Sequence, residues 1–127
     1  MRKHRFREGV RAAALLTACI LLAGCPHRVK DDPGPAVTYY RSLGSLQCAG
    51  GGKTVAEMEQ ELRKAGITVN RAACGVDGRM RAMVCGASDG RIAIFEIPAQ
   101  QAGSAAALGL QPLATLPDAT ETPCQAP

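Results

Sequence analysis

Apolar side chains recur at Val55, Met58, Leu62 and Ala65, a spacing that puts them on one face of a helix. Thr54-Val55-Ala56-Glu57 precedes the run as a capping box, in which the Thr hydroxyl takes the amide three residues on and Glu57 reaches back. Glu59 and Arg63 pair one turn apart, and Gly66 supplies the left-handed stop. Ile67-Thr68-Val69-Asn70 then alternates apolar and polar as a half-buried strand. Met80, Ala82 and Val84 alternate with Arg79, Arg81 and Met83 between the turn signals Asp77-Gly78 and Asp89-Gly90, which predicts a second strand. Residues 91–97 are apolar on both faces, as in a central strand. Pro98 and Gly109 bracket a second helix over 99–108, and Leu110, Leu113 and Leu116 follow in a segment that Pro112 and Pro117 confine to an edge.

With Leu46 to Cys48 as a short first strand, the order is strand, helix, strand, strand, strand, helix, strand. The expected fold is α+β: a small sandwich of two helices on a four- to five-strand antiparallel sheet, with ferredoxin-like element order and one added hairpin strand. The helices cover one face of the sheet and leave the other open. Residues 45–117 form this domain, and 118–127 are a polar tail. Ahead of it, 26–36 hold three prolines among charged residues, so 25–44 read as a flexible tether.

Charge changes this picture only at the N-terminus. Five of the fifteen basic residues and one of the eleven acidic ones fall in 1–24, so that segment carries the whole formal charge of +4 and the remainder is neutral. A nucleic-acid partner is excluded on that ground. The basic stretch runs into an apolar one over 12–23 and then into Leu22-Ala23-Gly24-Cys25, the layout of a secretory signal over residues 1–24. The apolar stretch, about 18 Å long as a helix, is too short to span a bilayer. These four residues resemble the lipobox of bacterial lipoproteins, position by position. The resemblance implies cleavage before Cys25, lipidation of Cys25, and a membrane partner engaged through acyl chains. With Pro26 and not Asp after the cysteine, it implies a place on the periplasmic face of the outer membrane.

Removal of Cys19 and lipidation of Cys25 leave Cys48, Cys74, Cys85 and Cys124. In an oxidising compartment, an even number in a domain without Trp and with an aliphatic core reads as two structural disulfides. Three connectivities are open. Cys74 with Cys85 and Cys48 with Cys124 is favoured, since the first closes a short loop around Asp77-Gly78 and the second ties down the tail.

The candidate chemistry is sparse. Gly50-Gly51-Gly52-Lys53-Thr54 resembles the end of a phosphate-binding loop, but Gln47 stands where its first glycine belongs, and the glycines read as the approach to a capped helix. Met80 and Met83 fall on opposite faces of their expected strand, which makes them core filling and not a copper site. Arg71, Arg79, Arg81 and Arg91 gather around the open sheet face as a patch for an anionic partner. His27, in the tether, has no ligand partner near it. No catalytic residue, metal site or cofactor is expected, because the histidines and paired carboxylates of the common hydrolases are missing. The expected function is a small binding or scaffolding module of the cell envelope, with a protein or cell-wall glycan as partner. Its element order is similar to that of septal cell-wall-binding repeats. The alternative is a minor periplasmic enzyme or small-ligand carrier, using a pocket between Gly50-Gly51-Gly52 and the strand ends.

Overall fold

A computed structural model describes residues 34–125. The signal segment, Cys25 and His27 lie outside the described residues. The chain forms β1 (Ala36–Ser42), α1 (Val55–Lys64), β2 (Arg71–Val76), β3 (Arg91–Pro98), a 3-10 turn at Ala99–Gln101, α2 (Ala102–Ala107), β4 (Gln111–Pro112), a second 3-10 turn at Leu113–Thr115, and β5 (Thr120–Thr122). The strands form one five-stranded sheet in the order β4-β1-β3-β2-β5, antiparallel throughout. The first four strands and two helices have the split β-α-β arrangement, and β5 is added at the free edge of β2.

β3 is central because both of its faces are apolar. Ala93, Phe95 and Ile97 point to one side, where they are sealed by Met58 and Leu62 of α1, by Ala105 of α2, and by Ile67, Val69 and Leu110. The capping box forms as the sequence predicts: the Thr54 hydroxyl accepts the Glu57 amide at 3.2 Å, and Glu57 accepts the Thr54 amide at 2.7 Å.

Several expectations need correction. Folding begins at Ala36 and not at 45, since Val37 and Tyr39 pack on the helix-side core and Tyr40 is buried on the other face, so seven residues assigned to the tether are β1. Ile67 and Val69 are buried but lie outside the ladder; the strand follows them, in the small-residue run Arg71–Val76. Gly75 is required there, because a Cβ would stand 2.7 Å from both the Ile94 side chain and the Thr120 carbonyl. The added strand is not 79–84 but β5, inside the segment read as a loose tail. Residues 46–48 form a turn carrying an isolated bridge and not a first strand.

The second face of the sheet is not open. Tyr40, Ile92 and Ile94 are covered there by Leu116, with Leu113 and Ala119 beside it. The disulfides join Cys48 to Cys85 and Cys74 to Cys124, each with 5.1 Å between Cα atoms, which overturns the favoured pairing. Their partners follow from the sheet. Cys74 pairs with Thr122 across β2 and β5, bringing Cys124 alongside, and the loop after β2 folds back over the segment that holds Cys48.

Candidate functional site

Ser42 opposite Ile92 and Val76 opposite Arg91 define one pole of the sheet, and Ala36 opposite Pro98 the other. At the first pole, residues 77–90 cross from β2 to β3 without helix or strand, yet they are held at many points. Asp77 is buried; its carboxylate accepts the Arg79 amide at 3.1 Å and both terminal nitrogens of Arg81, at 2.6 and 2.5 Å. Gly90 makes room for this fork, since a Cβ on it would meet Arg81 at 2.7 Å and Asp77 at 3.0 Å. The Arg81 hydrogen bonds hold the Asp77 carboxyl below its ordinary range and, with the Arg79 amide, outweigh the burial that pulls the other way.

Asp89 is fixed in the same manner. Burial raises its pKa, but the Ser45 hydroxyl at 2.7 Å, the Arg91 amide at 3.0 Å and the Arg91 guanidinium at 2.6 Å lower it further, and the net shift is downward.

Gln47 pins the middle of the loop. Its side chain donates to Ala82 and Ser88 carbonyls at 3.1 and 3.2 Å and accepts the Val84 amide at 3.0 Å. Its backbone donates to Ala87 and accepts from Gly86. The Cys48–Cys85 bridge closes the same junction covalently. No sequence signal marked Gln47, whose partners all lie at least 35 residues away.

These contacts frame a cleft of about 670 Å³ whose walls include Gln47, Val76, Arg79, Met80, Arg81 and Met83. A smaller one of about 360 Å³ shares Asp77, Arg79 and Arg81 with it and is lined also by Tyr40 and Ile92. Met80 and Met83 are 102% and 93% exposed, so they are not core filling; the alternation that suggested a strand belongs to a loop whose side chains stand in water.

The four arginines named from the sequence are not brought together. Arg71 sits toward the far pole, opposite Glu96, and is paired with Glu121; Arg81 and Arg91 are neutralised by Asp77 and Asp89. Arg41 and Arg63 are likewise paired, with Glu61 and Glu59. Among the described residues, Arg79 is the arginine with no carboxylate within ion-pair distance, although its charge helps to lower the Asp77 carboxyl. Gly50, Gly51 and Gly52 line neither cleft, and Lys53 is engaged by Glu61, so the glycine run serves as the approach to α1.

The described residues contain no cluster of His, Cys, Asp or Glu able to hold a metal ion. The pole brings together a guanidinium without an ion pair, two exposed thioethers and a cleft. Comparison of the chain with protein families, with curated proteins and with solved structures finds no match.

Proposed function

We propose that this protein is a lipoprotein of the bacterial outer membrane, anchored through Cys25 and presenting a small binding or scaffolding module to the periplasm. The observation that supports it most is that Cys48, Cys74, Cys85 and Cys124 all go into disulfides, which persist in oxidising compartments and suit a domain outside the cytoplasm. Those four are accounted for by structure, and the cysteine of Leu22-Ala23-Gly24-Cys25 stands in a separate, lipobox-like context. From Cys25 to the start of β1 at Ala36 the chain can reach about 36 Å, at ~3.3 Å per residue, enough to present the domain clear of a membrane surface. Three acyl chains, at ~0.8 kcal/mol per buried methylene, hold such a protein on the membrane for its lifetime.

A binding role fits the pole better than catalysis. The Asp77 and Asp89 carboxylates are occupied by arginines and Cys48 and Cys85 are bridged, so these candidates for base or nucleophile are already engaged. Metabolic labelling with a fatty-acid analogue tests the anchoring. The parent chain is expected to take up label and fractionate with the outer membrane, and Cys25→Ser to remain an unlabelled precursor. Equal label in the two chains overturns the proposal.

A further inference from the structure

The loop over 77–90 combines two properties that seldom coincide. It is anchored by a disulfide, by the Asp77–Arg81 fork and by the Gln47 side chain, yet Met80, Met83 and Val84 are held out in water at 102%, 93% and 55% exposure. Apolar side chains on a free loop would reduce their exposure by folding inward. Here the constraints keep them out, which is the mark of a preformed contact surface and not of slack chain. Methionine suits such a surface, because its unbranched, polarisable side chain adapts to varied partners.

The charge at this surface narrows the partner. Asp77 and Asp89 form ion pairs with Arg81 and Arg91, which leaves the Arg79 guanidinium, beside Met80, as the cation in the cleft lining without an ion pair of its own. A planar guanidinium without a partner takes a carboxylate in a two-point fork. Capture of a chain-terminal carboxylate depends on converging backbone amides. The Arg79, Val84, Gly86 and Ala87 amides are already donated within the protein. A membrane surface is also disfavoured: one basic residue contributes only about 1 kcal/mol of attraction to anionic lipid, and the site is a cleft.

We propose that this cleft docks an extended segment of another envelope protein in which an acidic side chain neighbours an apolar one, the carboxylate on Arg79 and the apolar group between Met80 and Met83. The proposal rests on the binding-module reading and adds to it the site and the chemistry of the partner.

The test uses the full-length chain, purified in detergent, and pools of short extended peptides of randomised sequence around a fixed centre of Glu-Leu, Gln-Leu or Glu-Ser. The Glu-Leu pool is expected to bind about tenfold more tightly than either of the others. Arg79→Gln is expected to erase the preference for Glu over Gln. Met80→Ser with Met83→Ser is expected to weaken both Leu-containing pools while preserving that preference. Retention of both disulfides, checked by alkylation of free thiols, shows that each variant is folded.

Equal binding of the three pools, no binding of any, or an acid preference that survives Arg79→Gln overturns the proposal. Displacement of the Glu-Leu pool by phosphatidylglycerol added to the micelles, but not by phosphatidylethanolamine, overturns it in favour of a lipid surface. Because binding is measured on purified chain, its failure is separate from failure of the anchoring, which the fatty-acid label reads.

Discussion

On the helix-covered side of the sheet, Phe95, Ile97 and Leu62 are shut away from water behind α1 and α2, whereas at the pole Met80 and Met83 stand almost wholly in it. The first region is held by burial of apolar area, which is non-directional and spread over many residues. The second is held by a few directional links: one disulfide, the Asp77–Arg81 and Asp89–Arg91 ion pairs and the side chain of Gln47. Loss of any single methyl group is felt throughout the first region, while the second opens at identifiable points. The division teaches where variation is tolerated. The core must be kept whole, but side chains at the tip of the 77–90 loop can be exchanged without touching what holds the fold.

The sharpest way to break this comparison is inside the core. Phe95→Ala is expected to cost about 3 to 5 kcal/mol and to lower the denaturant midpoint of the whole domain, since Phe95 is fully buried on the central strand. Replacing Cys48 and Cys85 together by Ala should cost about 4 kcal/mol, because the bridge closes a sequence separation of 37. Hydrogen exchange then separates the regions: the Val84, Gly86 and Ala87 amides should lose protection in that variant well before the amides of β3 do.

Asp77→Asn should cost about 2 kcal/mol by weakening a partly buried, charge-assisted fork. Its pH dependence has a definite sign. The folded-state pKa of Asp77 lies below the ordinary 3.8, so its contribution is fully present above that value and is lost as the pH falls through the lower, folded value. Denaturant midpoints of parent and variant should therefore differ at neutral pH and converge in strong acid. Thr54→Ala should cost about 1 kcal/mol by removing the cap of α1, read as a small shift in the same midpoint. At the bottom of the scale, Met80→Ser with Met83→Ser should move stability by no more than about 0.5 kcal/mol, because neither side chain is buried.

The two regions also differed in how far they could be read from the chain. α1 declared itself through its capping box and helical spacing, and β3 through an apolar run flanked by a turn and a proline, because those signals are local. β1 was hidden by its approach: the prolines before Ala36 suggested a tether, though Val37, Tyr39 and Tyr40 carry strand-forming side chains. At Ile67 and Val69 the alternation reported burial correctly but not pairing, since a side chain can be enclosed without its backbone joining a ladder.

At the pole, the alternation of Met and Arg over 79–84 imitated a strand. What decides otherwise is the contact of this segment with Gln47 and Cys48, more than thirty residues earlier, and no local pattern encodes it. Arg79 and Arg81 were named from the sequence, but their roles were not separable there. Arg81 closes on Asp77 and Arg79 does not, a distinction that depends on side-chain geometry.

The crossing of the two disulfides has a consequence for how the chain matures. In order along the sequence the four disulfide-bonded cysteines are Cys48, Cys74, Cys85 and Cys124, and the bridges interleave, first to third and second to fourth. An oxidant that joined these four in sequence order would link Cys48 to Cys74 and then Cys85 to Cys124, neither of which is native. Correct pairing needs β2, β3 and the 77–90 loop in place before Cys48 is oxidised, or a later reshuffling through mixed disulfides, which takes seconds to hours. Maturation of this small domain is thus a contest between oxidation and folding, in which a chain oxidised first must exchange its bridges before it can reach the native pairing.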